Sequence, residues 1–330
     1  MSVDHYHNKK IVAWGASKLL EFYLKNSNEK KIEYVIDSNE SRHGGYFNGL
    51  PIKGPLSIGE EQSDDVLVVI FAVSNFAVQN ILASLNCFGF LLHKNVILYS
   101  DLFYDDFSSK VKDTLGLEVN KKNYNLAKSF YLSTKFPVHT TILGNLLLLE
   151  MLKKSMSLGE ELYPIVEVGA FNCGNALLVS HFLTQYRDIP FYIFDSFEGF
   201  PELSKFDPRD KKVGDYNIES TYEYILDNFS FFENTKIIKG FVPYTFDQLE
   251  SDEKYSIVFY DCDLYQPALD TLNYFWDKLI PGGYFVMHDY VFEEGGFEGV
   301  KKAVDEFFAG IDVPVFSFWE NTMGVIIKPK

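Results

Sequence analysis

Short apolar runs alternating with helical patterns predict an α/β chain, with a doubly wound, mostly parallel sheet in residues 140–330 and a smaller α/β unit ahead of it. Three observations carry the prediction. Residues 163–175, YPIVEVGAFNCGN, read as a buried strand, a glycine turn and a helix start. Three further apolar runs, within 190–201, 255–265 and 279–290, each stop at carboxylates. The tail PVFSFWENTMGVIIKP holds two alternating runs around Glu320 to Thr322, the pattern of a closing antiparallel hairpin.

Taken in order, residues 1–106 form a self-contained unit of the Rossmann-like kind. KKIVAWGAS is a strand and turn, LLEFYLKN a helix, and KIEYVIDSN a second strand ending in Asp37. DVLVVIFAVS is a third strand and NVILYSDLF a fourth. Gly15 is the only turn glycine, so two readings stand: a nucleotide or nucleotide-sugar site using Gly15 and Asp37, or a dimerisation or substrate-presenting unit. The second is preferred, because one glycine and one aspartate coincide often by chance. GYFNGLPIKGP resembles the segment after the second strand in small Rossmann-like domains attached to sugar-modifying transferases.

Residues 107–139 lose alternation and read as a linker packed as helices and loops. A helix follows in HTTILGNLLLLEMLKKSMSLGEE, capped by Thr140 or Thr141 and ended by Gly159, with a leucine stripe to cover one sheet face. His139 reads as a surface or cap residue.

The second unit spans 140–330. Ile165, Val166 and Val168 frame Glu167, and Gly169 lets the chain turn and a ligand approach. Gly174 stands where a helix begins and offers unpaired N–H groups. Neither G-x-x-x-x-G-K-[ST] nor G-x-G-x-x-G is present, so the loop suits a cationic or hydroxyl-rich ligand better than a pyrophosphate. Asp195 ends the next strand, where an acidic side chain takes both ribose hydroxyls of a nucleoside. Residues 202–216 exceed what a single-helix connection needs and read as a lid. KIIKGFVPYTF adds a strand with Gly240 at its end. Two more strands end in Asp261 with Asp263 and in His288 with Asp289, and the carboxyl ends of such strands are where ligands bind. A turn at Leu264 is expected to bring Asp261 and Asp263 to one site.

VEVGAFNCGN, DSFEGFPE, KGFVPYTF, YDCDLYQPALDTLNYFWDKLIPGGYFVMHDY and GVKKAVDEFF together resemble the macrocin-type O-methyltransferases, over roughly residues 140–330. The resemblance implies a class I methyltransferase sheet, S-adenosylmethionine as cofactor, Mg²⁺ or another divalent metal, and a sugar hydroxyl as acceptor. It further implies metal ligation by Asp261 and Asp289 and a general-base role for Asp263. Glu167 would sit near the sulfonium or cap its strand. Family members carry two successive aspartates where this chain has His288 and Asp289. Either the imidazole joins the ligands and favours Mn²⁺, Fe²⁺ or Co²⁺, or it turns into a hydrogen bond with a neighbouring strand and leaves Asp261 and Asp289 to hold Mg²⁺ with water; the latter is preferred.

Composition bounds these readings. A chain of 330 residues with 47% hydrophobic and 17% aromatic side chains has room for two cores and is not disordered. A formal charge of −16 without a basic stripe argues against nucleic acid as a partner. Cys87, Cys173 and Cys262 are too scattered for a disulfide framework and read as buried thiols. No apolar leader and no membrane-length run is visible, so a soluble, cytoplasmic protein is expected, with a small-molecule or saccharide acceptor and homo-oligomerisation left open. The alternatives are methyl transfer to a non-hydroxyl acceptor, or a catalytically silent sugar-binding scaffold.

Overall fold

The computed structural model describes residues 9–26, 32–158, 161–186, 188–290, 298–318 and 322–330. The chain divides into two compact units, Met1–Lys110 with Tyr131–Leu143, and Val111–Phe130 with Gly144–Lys330. No helix among the described residues is long and apolar enough to cross a membrane.

In the first unit β1 (Lys10–Trp14), β2 (Ile32–Ile36), β4 (Leu50–Lys53), β5 (Val66–Ile70) and β6 (Val96–Leu98) run parallel, in the order β4-β2-β1-β5-β6. The helices α1 (Lys18–Asn26) and α2 (Asn75–Cys87) connect them. A short antiparallel strand, β3 (Tyr46–Phe47), pairs with β4. That hairpin goes beyond the sequence reading, although its signal was present: Asn48 and Gly49 take φ of 46° and 81°, as a two-residue hairpin turn requires. NVILYSDLF departs from expectation. Only three of its residues are strand, and Tyr99 already opens α3 (Tyr99–Leu115). Asp101 Oδ2 accepts the Leu98 N–H at 3.1 Å, which diverts that donor from the sheet. Cys87 is exposed, not buried, because it closes α2 on its outer side.

The second unit contains most of α4 (Lys121–Ser133) and of α5 (Ile142–Ser155), then β7 (Ile165–Val168), α6 (Gly174–Leu183), β8 (Phe191–Asp195), α7 (Tyr222–Phe229) and β9 (Thr235–Lys239). There follow β10 (Tyr255–Tyr260), α8 (Tyr265–Phe275), β11 (Leu279–Met287), α9 (Glu298–Phe307), β12 (Val315–Phe318) and β13 (Met323–Ile327). The seven strands lie in the order β12-β13-β11-β10-β7-β8-β9. Strands β7 to β11 are parallel, while β13 runs antiparallel to both β11 and β12. The chain therefore lays down β7, β8 and β9 in one direction and reverses to place β10 on the other side of β7. That switch point lies between β7 and β10, and in open α/β sheets ligands bind outside the carboxyl ends of the strands at such a point.

Both central strands are buried along their whole length, which explains their near-continuous apolar sequence. On one face Val166, Val168, Val258 and Tyr260 pack with Phe275 of α8 and Val300 and Val304 of α9. On the other, Ile165, Glu167, Ile257 and Phe259 meet Leu148 and Leu152 of α5 and Val179 of α6. The expected one-sided leucine stripe on α5 is instead buried from Ile142 through Leu152. This helix starts after Thr141 and ends at Ser155; its expected stop, Gly159, lies outside the described residues, as do residues 319–321 of the hairpin turn.

Candidate functional site

The glycine turn closes on the end of β8. Gly169 has φ of +89°, and a Cβ there would lie 2.4 Å from the Asp261 carbonyl oxygen, so only glycine lets the β7 and β10 ends approach this closely. Asp195 Oδ2 accepts the N–H groups of Ala170 and Phe171 at 2.9 and 2.7 Å, and Oδ1 accepts that of Phe197 at 2.6 Å. The carboxylate that the sequence assigns to ribose thus also clasps the turn. Gly240 joins the same edge by donating its N–H to the Asp195 carbonyl at 2.9 Å. Gly174 begins α6 behind Cys173, which takes φ of 56° and gives the helix no side-chain cap. Glu167, 2% exposed, lies beneath this turn. Burial first, then the charges of Asp261 and Asp195, push its carboxyl well above the usual range.

Beside the turn stands the acidic cluster. Ligand atoms of Asp261, His288 and Asp289 all lie within 4.8 Å of one another. Two donors on one small divalent cation are at most ~4–5 Å apart at ordinary metal–ligand bond lengths, so the spacing fits a shared ion. The donor set, two carboxylates and an imidazole, suits Mn²⁺, Fe²⁺ or Co²⁺ as well as Mg²⁺. His288 Nδ1 lies 3.1 Å from Asp261 Oδ1 and 3.0 Å from Asp289 Oδ2, between the two and aligned squarely with neither. Its Nε2 is 3.3 Å from Thr322 Oγ1, just before β13. The ring therefore faces the carboxylates and reaches the neighbouring strand at once, where the sequence offered these as alternatives. Burial alone would lower the His288 pKa, but Asp261 and Asp289 outweigh it and raise it.

Asp263 completes the group by a side-chain hydrogen bond with Asp289; burial first, then the Asp289 charge, hold its pKa well above the usual range. The turn that brings it there is its own left-handed backbone, φ 64°, and not one at Leu264, which is extended. Sequence reasoning missed Phe171 and Tyr216, whose rings meet edge-on at 5.6 Å between the glycine turn and the loop after β8. It missed Thr322 as well. None of these carries a one-dimensional signal beyond being aromatic or hydroxylic.

The first unit repeats the clasp. Ala16, after Gly15, donates its N–H to Asp37 Oδ2 at 3.0 Å, and Asn39 donates to Oδ1 at 2.8 Å. Here, however, Arg42 Nη1 lies 3.2 Å from Oδ2 and donates to the Ala16 carbonyl at 2.9 Å.

A seven-stranded sheet in this order, with a glycine turn and acidic strand ends at its switch point, is the class I (Rossmann-like) methyltransferase fold. Within that class the chain belongs to the macrocin-O-methyltransferase (TylF) family, whose sequence model matches residues 149–321, just over half of it. Demethyldecarbamoylnovobiocin O-methyltransferase of Streptomyces niveus is 27% identical over 160 residues, 45% of this chain and 59% of the relative. Mycinamicin III 3''-O-methyltransferase of Micromonospora griseorubida is 25% identical over 139 residues, 38% of this chain and 54% of the relative. The chain thus spans less than two thirds of either relative. Among solved structures, the O-methyltransferase NovP is similar at 19% identity and a TM-score of 0.48, covering 70% of this chain and 100% of that one. The calicheamicin methyltransferase CalS11 has 14% identity and a TM-score of 0.48, covering 68% and 91%.

Proposed function

We propose that this chain transfers a methyl group from S-adenosylmethionine to a sugar hydroxyl, assisted by a divalent cation held by Asp261, Asp289 and His288. The observation that carries the reading is the gathering of Asp261, Asp263 and Asp289 beside the glycine turn, at the sheet edge where this fold takes ligands. The matched relatives are named for O-methylation, which favours a hydroxyl over a nitrogen acceptor.

The cofactor supplies an electrophilic methyl on a sulfonium, and the cation, when bound, acidifies the acceptor hydroxyl. A sugar hydroxyl is a poor nucleophile near neutral pH, so a base must take its proton as the new O–C bond forms and the S–C bond breaks. We assign that role to Asp263, which its left-handed backbone turns towards Asp289, two residues after Asp261. Asp195 Oδ1, with one N–H donor among the described residues, keeps a lone pair for a ribose hydroxyl. Glu167, Gly169, Gly174 and Gly240 shape the remainder of the cofactor edge.

The test is calorimetric binding of S-adenosylhomocysteine, followed by methyl transfer from labelled S-adenosylmethionine to a panel of nucleotide sugars and saccharides. Asp263→Asn should lower turnover on the order of a hundredfold or more and leave S-adenosylhomocysteine affinity near that of the wild type. Equal turnover in the two proteins removes the base assignment. Cofactor binding with no acceptor methylated would favour a silent scaffold.

A further inference from the structure

The segment between β8 and α7 touches both the glycine turn and the start of α8. Its base is closed: Phe200 donates its N–H to the Asp215 carbonyl at 2.9 Å, and Gly214 returns one to Phe200 at 3.0 Å. Gly199, with φ of +83°, sits where a Cβ would lie 2.4 Å from the Asp215 carbonyl oxygen. At this end Tyr216 packs on Phe171 of the glycine turn. Asp207, 7% exposed, lies further along the same segment. Its Oδ1 accepts the N–H of Tyr265, the first residue of α8, at 2.7 Å, and its Oδ2 accepts that of Ser204 at 2.7 Å. The Phe206 ring packs on that of Tyr265 with centroids 4.8 Å apart.

Helix α8 begins directly after residues 261–264, the turn that carries Asp261 and Asp263. Its own N-cap residue, Leu264, has no side chain to satisfy the first N–H groups. Tyr260 holds one end of the turn, its hydroxyl donating to the Leu264 carbonyl at 2.6 Å. The same peptide, between Leu264 and Tyr265, is gripped a second time from outside the helix, where Asp207 accepts the Tyr265 N–H.

We propose that Asp207 is a positioning residue for methyl transfer: by capping α8 from the segment that also touches the glycine turn, it fixes where the 261–264 turn places Asp261 and Asp263 relative to the cofactor edge. Its kinetic consequence rests on the methyl-transfer reading, whereas its structural consequence does not. Gly299, in the first turn of α9, supports the assignment from the opposite side. A Cβ there would lie 2.6 Å from Asp207 Oδ1 and 2.9 Å from the Tyr265 nitrogen, so the bare backbone of α9 is what leaves room for the capping contact.

That geometry supplies two independent ways to disturb one contact in the full-length protein. Asp207→Ala removes the cap. Gly299→Ala pushes it aside by steric overlap with Asp207 Oδ1 and the Tyr265 nitrogen; the helix preference of alanine offsets only part of that crowding, so the variant should stay folded with a melting temperature a few degrees below wild type. In both, kcat should fall roughly ten- to a hundredfold, the scale of a small misplacement of reacting groups, with KM for S-adenosylmethionine and S-adenosylhomocysteine affinity within about twofold of wild type. Mn²⁺ affinity, read by electron paramagnetic resonance without cofactor, should weaken in both. Asp207→Asn, whose Oδ1 still accepts the Tyr265 N–H, should recover most of the turnover and Mn²⁺ affinity. Wild-type kcat and Mn²⁺ affinity in folded Gly299→Ala would overturn the proposal, as would Asp207→Asn no better than Asp207→Ala, or S-adenosylhomocysteine affinity lost in step with turnover. A wild-type protein that methylates nothing would defeat the functional reading instead, and the Mn²⁺ measurement would still decide the role of Asp207.

Discussion

Asp195 clasps the glycine turn with the same two oxygens that the proposed reading assigns to ribose. Three backbone N–H groups stabilise its charge, yet burial outweighs them and raises its pKa. Removing the side chain frees the glycine turn as well as a ribose contact, so Asp195→Ala should weaken S-adenosylhomocysteine binding by about 1.5–3 kcal/mol, the scale of charged hydrogen bonds. Unchanged calorimetric affinity in a folded variant would dissociate the carboxylate from the cofactor. His288 poses the other residue-scale question. A site that places an imidazole between two carboxylates should prefer Mn²⁺ or Co²⁺ to Mg²⁺, and His288→Asp should shift that preference towards Mg²⁺ by restoring a hard oxygen donor. Metal competition measured on both proteins checks this; an identical order of preference would place the imidazole outside the coordination sphere.

At the scale of elements, α4 and α5 show how a buried charge can be tolerated at a helix end. Asn120 caps α4, its Oδ1 accepting the Lys122 N–H at 2.8 Å, while Glu150 Oε1 of α5 accepts the Asn120 N–H at 2.6 Å. Burial nonetheless raises the Glu150 pKa above its ordinary 4.5, against the lowering effect of its hydrogen bonds with Asn120 and Asn123. Since the folded state holds the proton more tightly than the unfolded one, ionisation costs stability. The cost is absent below about pH 4.5, grows as pH rises through the raised folded value, and is complete above it. Glu150→Gln keeps an acceptor without the charge. Its melting temperature should exceed that of the wild type by a few degrees at pH 7–8, with the difference closing as the pH falls below about 4.5. A gap independent of pH would point to packing and not to ionisation.

For the molecule as a whole, two Rossmann-like units with the same clasp invite the expectation of two cofactor sites. The first unit argues against its own: Arg42 already neutralises Asp37 and occupies the Ala16 carbonyl, a poor setting for a sulfonium. Calorimetry should therefore give one S-adenosylhomocysteine per chain, and two would show that the first unit also accepts it. The α/β class, the strands of the second unit and the acidic ends of β8, β10 and β11 were legible in one dimension, because buried parallel strands read as apolar runs and carboxylates interrupt them where they end. Gly169 and Asp195 were legible for the same reason. Tertiary structure alone decided the rest. It set the left-handed turn at Asp263 that joins it to Asp289, the His288 ring lodged between carboxylates, Arg42 closing the first unit's clasp, and Asp207 capping a helix 58 residues ahead in sequence. Each depends on a contact between distant segments or on a backbone angle that local propensity does not favour, and a sequence pattern records which residues are present without recording which of them meet.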